Sequence, residues 1–246
     1  MTSGVQTTLA PADGSSPLRA SVLRALDDVR DPELDEPLTS LGFVAACSVS
    51  EQGDAKVRLR LPTYFCAPNF AFLMVADAYD AVSSVDGVRR AEVVLDDHFA
   101  SHEINGGVAA RAGFVEAFEG LAEQELGQLR ADFLRKAVLA GTDRVCRPLL
   151  NDGATAEDLA RLTLGEVPAS ADVDRLRARR AELGLPAGDD DALLIDPATG
   201  AAVGVDGVPL HLGRARVTRV SIDANAGVCR GLLQERYPHG RQGVSR

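Results

Sequence analysis

The chain has 246 residues, of which 46% are hydrophobic and 25% charged, values typical of an ordinary globular protein with one large domain or two small ones. Its 36 acidic and 26 basic residues give a net charge of −10, which disfavours binding to nucleic-acid phosphates. Aromatic residues make up only 4% and tryptophan is absent, so base stacking is also disfavoured.

Nothing in the sequence indicates a membrane or secreted protein. No run approaches the roughly 18 apolar residues that a membrane span needs. Residues 1–17 are small and polar without an apolar core, so we expect a disordered leader rather than a secretory signal. The four cysteines lie far apart and form no CxxC pair, which favours separate thiols in a cytoplasmic protein.

The first half of the sequence predicts a two-layer α+β domain over residues 18–107, with the element order α-β-β-α-β. Apolar spacing predicts an opening helix, alternation predicts two strands joined by a turn at 51–54, and a long apolar run predicts a buried helix before a last strand. We expect the apolar helix to pack against a sheet or a partner chain. The predicted ranges are 18–29, 43–49, 56–61, 68–85 and 88–95.

The second half, residues 112–246, is predicted to be mainly helical with a small C-terminal β segment. Helical spacing runs from residue 114 to 139, and Thr155 with Asp158 forms a capping-box pattern before a short helix at 156–164. A further helix is expected at 172–183. We also predict a β-hairpin at 193–205 and a β-strand at 215–222. We recognise no family in this half.

Three short motifs in the first half resemble the metal–sulfur cluster assembly family, which includes the SufT-like and PaaD-like proteins. They are Asp31-Pro32-Glu33, Leu41-Gly42 before the first strand, and the turn from Thr63 through Cys66 to Pro68. The resemblance covers residues 18 to about 107 and includes the order of the elements. It implies an iron–sulfur cluster assembly domain with the cysteine turn at its functional surface.

The cysteine turn departs from the family pattern by one residue. The family places its cysteine four residues after the threonine and directly before the proline, whereas Cys66 is three residues after Thr63 and Ala67 fills the family's position. Either the loop shifts by one residue to return the thiol to the same place, or this chain has lost the usual ligand position.

The position of Cys66 supports a functional thiol independently of the resemblance. A cysteine just before a helix faces unpaired backbone N–H groups and the positive end of the helix dipole, which favour the thiolate that binds metals. Thr63 is placed to cap or orient the loop. The alternative is that Cys66 is a small apolar packing residue, which is also our interpretation of Cys47, Cys146 and Cys229.

Four further side chains are candidates for the same site. Asp31 and Glu33 either cap the turn after the first helix or, as the resemblance implies, lie beside the cysteine loop. His98 and His102 have a spacing that would place both rings on one face of a helix, suitable for a metal together with Cys66. Alternatively, these two histidines lie at the surface or contact a partner protein.

The leading functional hypothesis is a maturation factor rather than an enzyme. By resemblance, the chain would carry an iron–sulfur cluster transiently, or iron, and transfer it to a client apo-metalloprotein such as an oxygenase component. One thiol cannot complete a four-cysteine shell, so Cys66 would need a second subunit of a homodimer, an exogenous thiol or a histidine. The second half is expected to determine the client.

Two alternatives remain open at this point. One is a metal-free adaptor or chaperone for the same kind of client, which the displaced cysteine favours. The other is a cysteine-dependent enzyme in which Cys66 is the nucleophile and His98 or His102 the base.

Overall fold

The computed structural model describes residues 16–118 and 126–238. The first half contains α1 (Pro17–Asp28), α2 (Leu38–Leu41), β1 (Val44–Val49), β2 (Asp54–Leu59), α3 (Pro68–Ser83), β3 (Arg90–Leu95) and α4 (Ser101–Ala110). The predicted α-β-β-α-β order is therefore confirmed, with α2 and α4 as additional helices. Residues 1–15 of the expected leader lie outside the described residues, whereas Ser16 caps α1 and Pro17 begins it.

The three strands form one sheet in the order β1-β2-β3. β1 and β2 are an antiparallel hairpin, and β2 and β3 are parallel because α3 crosses between them. α3 is apolar nearly all round and its side chains contribute to the core cluster of this half. The sequence predicted that this apolar helix packs against either a sheet or a partner chain. In the structure, the sheet and the neighbouring helices of the same chain cover it.

The second half is helical over most of its described length. It contains α5 (Phe114–Ala117), α6 (Gly127–Asn151), α7 (Ala156–Arg161), α8 (Ala171–Glu182) and α9 (Val208–Arg236). The expected helices at 156–164 and 172–183 correspond to α7 and α8, and α7 has the predicted capping box. The helix expected at 114–139 corresponds to α5 and the start of α6, and its residues 119–125 lie outside the described residues.

The strand predicted at 215–222 is wrong, because these residues lie inside α9. Alternating β-branched residues produced the strand pattern. The buried positions of α9 are nevertheless spaced by three, four or seven residues, which is helical spacing, so tertiary packing overrides the local β preference. The hairpin expected at 193–205 is reduced to a single β-bridge between Ile195 and Ala202.

Helix α9 joins the two halves because it packs into both apolar clusters. Val208, at its start, belongs to the cluster formed by α6, α7 and α8. Ala226 and Leu233, in its last turns, are buried in the cluster of the first half. Ion pairs between Arg219 and Asp143 and between Arg144 and Asp223 hold α9 along α6. Within the described ranges, no helix is long and apolar enough to cross a membrane.

Gly42 has a backbone conformation that disfavours a side chain, and it lies close to Leu233 of α9. It ends α2 at φ 78°, a left-handed conformation, and an ideal Cβ there would lie 3.2 Å from the Leu233 Cδ2 atom. Gly42→Ala should therefore lower the free energy of unfolding by about 1–2 kcal/mol, since an L side chain is disfavoured in this conformation. Gly106→Ala is the matched control: this α4 glycine has nothing within 4 Å, so alanine should stabilise by about 1 kcal/mol. Urea unfolding of both variants measures the difference, and equal effects would contradict the prediction.

Candidate functional site

Cys66 lies in the loop between β2 and α3, one residue before the helix cap Ala67. Its side chain is half-buried, and the Thr63 Oγ1 atom lies 3.3 Å from its Sγ atom. The same Oγ1 atom accepts a hydrogen bond from the Phe65 backbone N–H at 3.2 Å, so the hydroxyl hydrogen is free to point at the sulfur. Thr63 thus contacts two residues of the loop and places its hydroxyl group beside the Cys66 sulfur.

His98 holds the backbone of the Cys66 loop. Its Nδ1 atom accepts from the Ala100 N–H at 3.2 Å, which places the ring hydrogen on Nε2. Nε2 then donates to the Cys66 carbonyl oxygen at 2.7 Å. Burial lowers the pKa of His98, and the charge of Arg236 lowers it further, against the opposing effect of the bond to the Cys66 carbonyl. Both ring nitrogens of this buried neutral histidine are therefore engaged by backbone.

His102 does not share the surroundings of His98. Helix α4 begins at Ser101, so His98 precedes it and the two rings do not form the one-face pair that a continuous helix would give. His102 is exposed and lines a separate surface cavity of about 860 Å³ beside β3. Within residues 16–118 and 126–238, no group of three or more His, Cys, Asp or Glu side chains is arranged to hold a metal ion.

Asp31 is buried and closes the turn after α1. Its Oδ1 atom accepts from the backbone N–H groups of Glu33 at 2.8 Å and Leu34 at 2.9 Å. Burial raises the pKa of Asp31 to about 6, and the charges of Glu33 and Glu36 add to this, whereas the two backbone hydrogen bonds oppose it. Asp31 therefore caps the turn after α1, as one of the two sequence interpretations had it. Its carboxyl group has an unusually high pKa.

Helix α9 brings a residue to this turn that the sequence analysis treated as packing. Cys229 is half-buried, and its pKa is raised to about 11, first by burial and then by the charges of Asp31, Cys66 and Glu33. These charges act on the Cys229 thiol because the last turns of α9 lie over the first half. A correct helix assignment for 208–236 would have placed Cys229 on the buried face, together with Ala226 and Leu233.

An exposed aromatic cluster adjoins the Cys66 loop. The ring centroids of Tyr64 and Phe65 are 5.0 Å apart, and the Phe99 ring lies 6.0 Å from that of Phe65. Phe65 is 76% exposed, and Tyr64 and Phe99 are each more than two-fifths exposed. Such a group of large apolar side chains at the surface is typical of an interaction site.

Comparison with known proteins identifies the first half. Residues 19–94 match the family described as iron–sulfur cluster assembly protein, a range that runs from α1 almost to the end of β3. The chain is also 30% identical, over 87 residues, to an uncharacterized protein of Methanocaldococcus jannaschii, covering 35% of this chain and 90% of that protein. This chain belongs to the iron–sulfur cluster assembly protein family. No solved structure matches it.

Family membership supports a general role in iron–sulfur cluster assembly and suggests an accessory role rather than a catalytic one. The matched range contains Asp31, Glu33, Thr63 and Cys66. His98, His102 and Cys229 lie beyond it. The site as the structure assembles it therefore combines residues of the family domain with residues that follow it.

His98→Ala tests the positioning role of the buried ring. The substitution leaves both the Cys66 carbonyl and the Ala100 N–H without the histidine as a hydrogen-bond partner. It should therefore lower the free energy of unfolding by about 2–3 kcal/mol and speed amide exchange in the Cys66 loop. His102→Ala is the matched control, because this ring is exposed and should change stability by no more than about 0.5 kcal/mol. Urea unfolding and hydrogen exchange measure both variants. Equal behaviour of the two would refute a special role for His98.

Proposed function

We propose that the protein carries or transfers an iron–sulfur cluster, or iron, and that the Cys66 thiol is the ligand through which it does so. The observation that carries this proposal is the placement of Cys66 within the family domain. Its thiol is half-buried at a helix N-terminus, with a hydroxyl donor 3.3 Å away and its backbone anchored by His98. Thiolates are the usual protein ligands of iron–sulfur clusters.

The incomplete ligand set suits a cluster that is cargo. Cluster iron is normally held by four thiolates, so a single Cys66 leaves coordination positions for other ligands. A client apo-metalloprotein, a small thiol or the second subunit of a homodimer would supply them, and exchange at these positions starts the transfer. We assign His98 to positioning the Cys66 loop, because both of its ring nitrogens are already engaged.

The exposed aromatic cluster supports contact with a client protein. A client that receives a cluster must bring its own ligands close to Cys66, and the neighbouring Tyr64, Phe65 and Phe99 rings would then be covered. Burying an exposed phenylalanine contributes roughly 1.5–3 kcal/mol to such an association. We propose that this cluster forms part of the client surface, and an oxygenase component remains our proposed class of client.

A metal-free adaptor is the second candidate function. Ala67 occupies the family's cysteine position, and in this chain it caps α3 with a methyl side chain that cannot bind a metal. The described residues also contain no preformed group of three metal ligands. The cysteine-dependent enzyme is less favoured, since His98 has no free nitrogen lone pair with which to act as a base toward Cys66.

Anaerobic reconstitution with ferrous iron and sulfide tests the proposal. The wild-type protein should bind iron and acid-labile sulfide in equal amounts and develop visible absorbance. Cys66→Ala should lose most of the bound sulfide, because the thiolate ligand is gone. Cys47→Ala is the matched control, since Cys47 is buried on β1 in the core of the same half.

The outcomes separate the two candidate functions. Equal cluster content in the wild-type protein and Cys66→Ala would refute ligation by Cys66. No bound iron or sulfide in any variant, the wild-type protein included, would reject the carrier and favour the metal-free adaptor.

A further inference from the structure

Helix α9 has a second apolar face, opposite the face that packs on the rest of the chain. Its buried residues, such as Ala215, Ile222 and Ala226, lie on one side of the helix. The described residues include ten large hydrophobic side chains that are exposed to solvent, and five of them lie on the other side of this helix. Such a group of exposed apolar side chains is typical of an interaction surface. The five are Leu210, Val217, Val220, Val228 and Leu232.

Small residues occupy the positions between these side chains. Gly213, Ala224, Gly227 and Gly231 are all exposed. An ideal Cβ at any of these three glycines would meet nothing within 4 Å beyond the backbone of the helix itself. From residue 210 to residue 231, apolar and small residues recur alternately three and four positions apart, the spacing that keeps one side of a helix toward a partner helix. We call the five large and four small residues the α9 stripe.

The sizes of the stripe residues are self-complementary in one orientation. The large Val217 and Val220 lie in the first part of the stripe, whereas Gly227 and Gly231 lie in its last part. If two identical helices pair antiparallel and cross at Ala224, Val217 of each copy faces Gly231 of the other, and Val220 lies close to Gly227. Large side chains then fit against small ones, as close packing requires. Parallel pairing would set valine against valine and glycine against glycine.

The charges at the two ends of the stripe favour the same orientation. Arg214 lies beside its beginning and Glu235 just beyond its end, and both are exposed. Antiparallel pairing across Ala224 brings Arg214 of each copy next to Glu235 of the other, so a two-fold dimer has two such pairs. Opposite charges that flank an apolar seam set the partner and the orientation of paired helices. The stripe therefore fits a second copy of this chain.

We infer that the α9 stripe is a homodimer interface, in which the α9 helices of two copies pack antiparallel and cross at Ala224. Both copies use the same surface, so the assembly closes at two subunits. Arg236, which donates to the Leu61 carbonyl oxygen ahead of the Cys66 loop, lies at the end of α9. An antiparallel pair therefore places the two Cys66 loops at opposite ends of the dimer. The open ligand positions of Cys66 are then left to a client or a small thiol.

Sedimentation equilibrium of the full chain, without added iron or sulfide, tests the interface. At micromolar concentration the wild-type protein should have twice the mass of one chain, and dilution should lower that mass. Val217→Glu should weaken association at least about 100-fold, because pairing would bury a charge without a partner. Val217 is 70% exposed in the single chain, so the fold should remain intact. Leu150→Glu is the matched control, since Leu150 is an exposed apolar residue of α6 outside the stripe.

Reversal of the end charges tests the orientation. Arg214→Glu would set two acidic residues together at each end of the pair and should weaken the dimer about 10-fold at low ionic strength. Adding Glu235→Arg to the same chain restores opposite charges and should recover the wild-type affinity. If the folded double variant associates no better than Arg214→Glu, the antiparallel arrangement is overturned.

Three further outcomes would overturn the interface itself. They are a wild-type protein that stays monomeric at every micromolar concentration, a folded Val217→Glu that dimerises as the wild-type protein does, and a dimer lost in Leu150→Glu but kept in Val217→Glu. Urea unfolding curves show whether each variant is folded. Because no iron or sulfide is present, the result does not depend on the proposed carrier function.

Discussion

The hydrogen bond from the buried His98 ring to the Cys66 carbonyl is the contact on which the arrangement of the site depends. A loop between a strand and a helix has backbone groups that neither element satisfies, and a buried group without a partner is costly. His98 resolves this by joining two loops: it donates to Cys66 and accepts from Ala100. The Cys66 side chain thereby emerges at a fixed place, beside the Thr63 hydroxyl and the exposed aromatic rings.

Helix α9 makes this site a product of both halves of the chain. Its first turns pack with α6, α7 and α8, and its last turns are buried in the core of the family domain. The ion pair from Arg236 to Asp97 secures it next to His98. Helix α9 therefore adds side chains from outside the family domain, such as Arg236, to the surroundings of the cysteine loop.

The chemistry of the site follows from a conflict between burial and charge. The Asp31 carboxyl group and the Cys229 thiol both have raised pKa values, mainly because they are buried. Burial therefore favours the uncharged form of both groups, compared with the same groups in water. In the proposed function, the incomplete ligand shell around Cys66 lets the acceptor withdraw the metal.

The sequence by itself determined the elements of the first half and the candidate Cys66 loop. Alternation and helical spacing are local signals, so β1, β2, α3 and β3 were predictable, and the short motifs indicated the family. Contacts between distant segments have no such signal. The strand predicted at 215–222 was wrong because its β-branched residues lie in a helix stabilised by packing on α6, and this error concealed the face that carries Cys229. The sequence pattern also did not show that α4 begins at Ser101, which separates His102 from His98. Only the tertiary structure decided that His98 anchors Cys66 and that α9 returns to the acidic turn, because each contact joins residues more than 30 positions apart in the sequence.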